Sequence, residues 1–182
     1  MLNTDNLTTE EILKIAKEEA EKRGVDDLIV ASTTGDTGLK AAKLFKGSSV
    51  NLVIVPHSVG FKEPNVNQFD NEIKEEIEKL GGTVIFTTMP FHTINDAIRK
   101  KVGSSTLTLI ADSLRMMGQG TKVCVEIVCM ACDAGMIESG KKVIAIAGTS
   151  KGADTILLIK SANSRRFFDL QIIDVIAKPH TF

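Results

Sequence analysis

The sequence predicts an α/β fold in three layers: a mostly parallel sheet, helices packed on both of its faces, and one antiparallel edge strand. Three observations carry this. Leu28-Ile-Val-Ala31, Leu52-Val-Ile-Val55 and Val143-Ile-Ala-Ile-Ala147 are apolar without alternation, the pattern of strands covered on both sides. Segments of helical periodicity separate them, and strands alternating with helices build parallel sheets. Near the end of the chain, two more strand-like runs, 155–159 and 170–177, are joined only by the polar turn 161–166. So short a connection cannot cross over, so at least one of these strands must run antiparallel.

Taken in order, Thr8 or Thr9 caps a first helix with Glu10 and Glu11 in its first turn; Ile12, Leu13, Ile15, Ala16 and Ala20 form its apolar stripe, and Gly24 ends it. A strand over about 27–33 runs into a turn and a helix over about 36–46, whose buried face is Ala41, Ala42, Leu44 and Phe45. Val50-Asn-Leu-Val-Ile-Val-Pro56 is the second strand. The loop after it, His57-Ser-Val-Gly-Phe-Lys-Glu-Pro-Asn65, is long enough to suggest function. A helix over about 67–80 stops at Gly81-Gly82, and a third strand over 83–88 enters the loop Met89-Pro-Phe-His-Thr93. Helical segments follow at about 94–101, 105–117 and 121–138. The last is apolar nearly all round, which predicts burial in the core or at a subunit interface. A fourth strand, 142–147, enters Gly148-Thr-Ser-Lys-Gly-Ala-Asp154. With no repeat, linker or low-complexity stretch, residues 1–182 read as one domain.

Composition narrows the function. Apolar residues make up 43 % and charged residues 25 %, and 22 basic side chains nearly balance 23 acidic ones. That balance, with no Trp or Tyr for base stacking, argues against a nucleic-acid partner. No apolar run reaches the length of a membrane span, and Met1-Leu-Asn-Thr-Asp-Asn6 has no secretory pattern. Three cysteines suit a reducing compartment better than a disulfide framework. A cytoplasmic protein is expected.

In a parallel sheet, ligands sit beyond the carboxyl ends of the strands. The loops 32–38, 57–64, 89–93 and 148–154 all fall on that edge, and two of them are rich in Gly, Ser and Thr. Ser32-Thr-Thr-Gly-Asp-Thr-Gly38 stands at a helix start, where free N–H groups and the helix dipole favour an anion, most often phosphate. There is no G-x-x-x-x-G-K-[ST], and no strand is followed by G-x-G-x-x-G; Gly118-Gln-Gly120 lies between helices. A phosphate monoester or a mononucleotide therefore fits better than a nucleoside triphosphate.

Cys124, Cys129 and Cys132 match part of an iron–sulfur spacing, but the fourth cysteine is missing and the segment is helical, so they read as buried apolar thiols. His57, His92 and His180 are too scattered for a metal site; His57 and His92 fall on the ligand edge, where either can make a local loop hydrogen bond or donate to a ligand. Glu126, the only charge between Val123 and Cys132, has three open destinations: the ligand cleft, a partner across a subunit interface, or solvent. Arg99-Lys-Lys101 reads as a solvated helix end.

The helix 8–22, the strand and turn 29–38, the strand 50–56 and the late strand 143–148 resemble the α/β domain at the C-terminus of pyruvate kinase. In that domain a Thr/Ser/Gly turn after the first strand holds the phosphate of a sugar-phosphate effector; the matching positions here are Ser32, Thr33, Thr34, Gly35, Asp36 and Thr37. Asp36 departs from the basic residue that the kinases often carry there. Ser32-Thr-Thr-Gly-Asp-Thr-Gly38, His57-Ser-Val-Gly-Phe61, Arg115-Met-Met-Gly118 and Val123-Cys-Val-Glu126 are similar to a stand-alone, chiefly archaeal family of pyruvate kinase C-terminal-domain-like proteins. That resemblance covers nearly the whole chain and implies bound flavin mononucleotide. Without the kinase barrel, it implies no kinase activity.

The expected ligand set follows. Ser32, Thr33, Thr34, Gly35, Asp36, Thr37 and Gly38 hold the phosphate, joined by Gly148, Thr149, Gly152, Ala153 and Asp154 from the neighbouring strand. His57, Val59, Gly60, Phe61 and Met89 flank the flavin ring, with Phe61 stacked on it, and Glu126 completes the set. No residue stands out as acid, base or nucleophile; any redox chemistry would be the flavin's. The alternative from another class is a regulatory module that binds a phosphorylated metabolite without catalysis. A third reading is a homo-oligomer built on the helix 121–138.

Overall fold

The computed structural model describes residues 1–181. It contains a seven-stranded mixed sheet. The strands are β1 (Leu2–Asn3), β2 (Asp27–Ala31), β3 (Asn51–Val55), β4 (Thr83–Val84), β5 (Lys142–Ala147), β6 (Thr155–Lys160) and β7 (Gln171–Lys178). They lie in the order β1-β7-β6-β5-β2-β3-β4. Only β6 runs against the others, paired antiparallel to β5 and to β7; the pairs β1/β7, β5/β2, β2/β3 and β3/β4 are parallel. The reversed strand demanded by the short connections is thus β6, with β7 and the two-residue β1 completing that side of the sheet.

Side chains of a strand alternate between faces, so runs without alternation feed two cores. Leu28 and Val30 of β2, Ile54 of β3 and Ile144 and Ile146 of β5 face α1 (Thr9–Arg23), α2 (Asp36–Phe45) and α3 (Asn71–Lys79). Ile29, Val53, Val55, Val143 and Ala145 face the other way, onto α6 (Gln119–Asp133), against which α5 (Thr106–Arg115) also packs. Helix α4 (Ile94–Val102) lies beyond α5. The apolarity of α6 is therefore explained within one chain: the sheet covers one side and α5 another.

Local signals set the helix ends. Thr8 caps α1 in a full capping box with Glu11, and Gly24 ends it at φ 61°. Asp70 caps α3 by accepting from the N–H groups of Glu72 and Ile73, so this helix starts at Asn71 and the segment 67–69 belongs to the preceding loop. The third predicted strand, 83–88, is cut to Thr83–Val84. As an edge strand it is held by β3 alone, and its last bond runs from Ile85 N–H to Ile54 O, at 3.0 Å. No helix among the described residues is long and apolar enough to cross a membrane.

Candidate functional site

The parallel strands β2, β3 and β5 point their carboxyl ends at one edge, and β2 lies between the other two. This is where connections diverge to either side and leave a crevice. A cavity of about 640 Å³ opens there, beyond Ala31, Val55 and the loop after Ala147.

One wall is the turn into α2. Ser32 N–H donates to Val55 O at 3.1 Å, tying the turn to β3, and Ser32 Oγ accepts from Gly38 N–H at 3.1 Å. Gly35 caps α2 at φ 112° with no side-chain bond, so the N–H groups of Asp36 and Thr37 have no protein acceptor among the described residues. A Cβ at position 35 would stand 2.6 Å from Ile73 Cγ2, so both backbone and space require glycine. Asp36 Oδ2 accepts from Thr34 Oγ1 at 3.3 Å.

The loop after β5 is the facing wall. Thr149 N–H donates to Asp154 Oδ2 at 2.8 Å, Asp154 N–H to Ala147 O at 2.9 Å, and Ala153 N–H to Thr9 Oγ1 at 3.1 Å. Asp154 thus works as the clasp of this loop; its other oxygen accepts from Thr155 Oγ1 at 2.6 Å. A third side is aromatic. The His57 and Phe61 rings lie 4.1 Å apart, and Phe61 meets the edge of His92 at 5.5 Å. Burial lowers the His57 pKa, against the raising effect of the 3.2 Å contact between its Nδ1 and Gln68 Oε1.

Beneath these walls lie two charges in α6. Lys122 is fully buried and Glu126 is 2 % exposed. Lys122 Nζ donates to Glu126 Oε2 and stands 3.2 Å from His92 Nδ1 and 5.4 Å from the centre of the Phe91 ring. Glu126 Oε1 accepts the Phe91 N–H at 2.8 Å and lies 3.3 Å from His92 Nδ1. Burial lowers the Lys122 pKa more than the neighbouring carboxylate raises it. For Glu126, burial pushes the pKa up, but His92 and Lys122 together outweigh it and leave the group below its ordinary value. The pair is a buried ion pair closed by a backbone donor and an imidazole.

The pyruvate kinase alpha/beta domain pattern matches residues 10–159. The chain belongs to that family. Among solved structures it is similar to a pyruvate kinase from Cryptosporidium parvum at 16 % identity and TM-score 0.43, over 83 % of this chain and 22 % of the kinase. A second structure, the Cryptosporidium parvum enzyme in complex with ADP, matches at 16 % identity and TM-score 0.45, over 88 % of this chain and 25 % of that one. O-ureido-L-serine synthase matches at 16 % identity and TM-score 0.34, over 75 % of this chain and 50 % of the synthase. The chain spans about a quarter of the length of the kinases it matches.

Within this family framework, the structure brings Ser32, Thr33, Thr34, Asp36, Thr37, His57, Phe61, Met89, Glu126, Gly148, Thr149 and Gly152 onto the cavity. Gly35, Gly38, Val59, Gly60, Ala153 and Asp154 stand outside its lining. Gly38 packs toward Ile54, where a Cβ would come within 2.7 Å of Cγ2. Of the three destinations open to Glu126, the chain takes the cleft, with an ion-pair partner of its own in Lys122.

Lys122, His92, Gln119, Ser150 and Lys151 also line the cavity and were absent from the expected ligand set. The i,i+4 spacing of Lys122 and Glu126 in an otherwise apolar helix was the available signal. A second cavity, about 420 Å³, lies beside the first and shares Phe61 and His92 with it. The three cysteines are buried and unpaired. Burial raises all three thiol pKa values, Cys129 to about 12 and Cys132 to about 11. Among the described residues no group of three or more His, Cys, Asp or Glu is arranged to hold a metal ion.

Proposed function

We propose that this chain binds a phosphate-bearing ligand in the cavity beyond β2, β3 and β5, and that the ligand is flavin mononucleotide. The observation that carries the reading is the uncapped start of α2: the free N–H groups of Asp36 and Thr37 belong to residues that line an open cavity. At about 640 Å³ the cavity falls within the roughly 300–1,000 Å³ of small-molecule sites. The His57–Phe61 pair and Met89 supply the apolar side that a flavin ring needs. The Asp36 carboxylate is the one feature of the turn that opposes a phosphate, and the free N–H groups must outweigh it.

A second reading, a regulatory module for a phosphorylated metabolite, draws on the polar floor. His92 and Gln119, set over the buried Lys122–Glu126 pair, suit the hydroxyls of a sugar better than the face of a ring.

Titration with flavin mononucleotide, riboflavin and a sugar phosphate, read by flavin absorbance and by calorimetry, separates these. The expected result is a retained flavin band and at least about tenfold weaker binding of riboflavin, the value of about 1.4 kcal/mol from phosphate contacts. Equal affinity for both flavins would refute the phosphate placement. No binding of either flavin, with heat from the sugar phosphate, would replace the first reading with the second.

A further inference from the structure

We propose that His92 is the proton-transferring residue of the cavity, a general acid–base whose Nδ1 side is fixed by Glu126 and Lys122 and whose Nε2 meets the ligand. The inference rests on the reading that the cavity holds a ligand, but not on that ligand's being a flavin.

The geometry begins at Nδ1, which lies 3.3 Å from Glu126 Oε1 and 3.2 Å from Lys122 Nζ. A carboxylate only accepts and an ammonium only donates, so the two cannot both be satisfied by one ring nitrogen. Lys122 has alternatives. Its N–H bonds rotate about the Cε–Nζ axis, one engages Glu126 Oε2, and the Phe91 ring takes up positive charge 5.4 Å away. Glu126 Oε1 faces Nδ1 as part of a buried carboxylate and gains a charge-assisted hydrogen bond when that nitrogen carries the proton. The arrangement of lower energy puts the proton on Nδ1 and donates it to Oε1, leaving Nε2 as the basic nitrogen.

Nε2 makes no hydrogen bond to protein among the described residues. It is not sealed in either, since no buried side-chain nitrogen or oxygen there lacks a partner. His92 lines both cavities and its side chain keeps 19 % of its surface open, whereas Lys122 and Glu126 beneath it are closed off. Of the three, only His92 can touch a ligand; Glu126 and Lys122 are positioning residues.

In the forward step a ligand N–H or O–H gives its proton to Nε2, leaving an anionic ligand beside an imidazolium whose Nδ1–H still donates to Glu126. The reverse step returns the proton, so no other reactant is needed. The titratable and charged groups around the ring are Glu126 and Lys122 from α6, His57 from the loop after β3, Asp96 and Arg99 from α4, and Asp112 and Arg115 from α5, the last four lining the adjoining cavity. The ligand class is a phosphorylated molecule with an exchangeable N–H or O–H at the end away from its phosphate.

The chain has only three histidines, so the imidazoles can be assigned by single substitutions. In nitrogen-labelled protein, the two-bond proton–nitrogen spectrum should show neutral His92 protonated at Nδ1 alone. Glu126→Gln should turn this into a mixture of tautomers, while His57→Gln should leave it unchanged. In the free protein, His92 Nε2 should be open to carbethoxylation by diethyl pyrocarbonate, mapped by mass spectrometry. A wild-type His92 protonated at Nε2, or one inert to the reagent, would overturn the proposal. Flavin mononucleotide binding is followed in the same samples by its absorbance. Bound flavin should shift the Nε2 resonance and protect it from the reagent; bound flavin that does neither also overturns the proposal. If no flavin binds, the proposed ligand falls, and the tautomer and reactivity of the free protein still decide the role of His92.

Discussion

Replacing Lys122 with Met tests the buried pair most directly. Met preserves most of the side-chain volume, so the substitution removes the charge without opening a large void. What remains is a carboxylate 2 % exposed that has lost the ammonium on Oε2 but keeps the Phe91 N–H on Oε1, at 2.8 Å. Breaking one side of a buried ion pair costs about 3–5 kcal/mol. The surviving backbone bond places Lys122→Met at the lower end, about 3 kcal/mol in urea denaturation near pH 7. The double variant Lys122→Met/Glu126→Leu should recover most of this, to within about 1 kcal/mol of wild type, because no buried charge is left behind.

The sign of the pH dependence follows from Glu126. In the native protein, burial raises its pKa, but the His92 and Lys122 contacts outweigh that and hold it below its ordinary value of 4.5. Its stabilising contribution is present above the unfolded value and lost as pH falls through the lowered native one. Without Lys122, burial loses a main opponent and the native carboxyl moves up. The penalty in Lys122→Met should then be largest near pH 7 and smaller near pH 5, where protonation relieves the orphaned charge. A penalty below about 1 kcal/mol, or one that does not change between these pH values, would refute the account of the pair as a mutually dependent buried ion pair.

Two further outcomes are expected. Gly120→Ala would place a Cβ 2.0 Å from Thr155 Oγ1, where α6 presses on the start of β6. The cost should be about 1–3 kcal/mol, a calorimetric Tm lower by roughly 2–12 °C, and an unchanged Tm would show that the contact yields freely. The thiols of Cys124, Cys129 and Cys132 are buried with raised pKa values, so a disulfide reagent near pH 8 should find none in the native protein and all three after unfolding. Rapid reaction of any one in the native state would contradict its burial.

Much of the site was legible because its signals are local. The turn 32–38 announced itself by two glycines and hydroxyl side chains between a strand and a helix, and the structure places five of its seven residues on the cavity. Glu126 was conspicuous as a lone charge on an apolar helix. Lys122 was not, because it sits where a helix N-terminal region normally tolerates a solvated lysine. Nothing in one sequence shows that Lys122 is covered by the Phe91 and His92 loop about thirty positions away. Asp154, expected from the sequence beside the phosphate, clasps its own loop, which depends on the way Thr149 and Thr155 turn.

By itself the sequence determined the layering and most of the elements, though not the two-residue β1 or the short β4. Strands apolar on both faces, a helix start capped by Thr8 or Thr9, of which the structure takes Thr8, and a left-handed end at Gly24 are dictated by burial and backbone sterics within a few residues. It also determined that a short C-terminal connection must reverse a strand. Only the tertiary structure decided which strand that is, that β1 joins β7 from the opposite end of the chain, and that Lys122, Glu126 and His92 meet in one cluster. Such pairings depend on which distant segments close upon each other, and on whether a charge finds its partner before it finds water. Neither is encoded in the spacing of neighbouring residues.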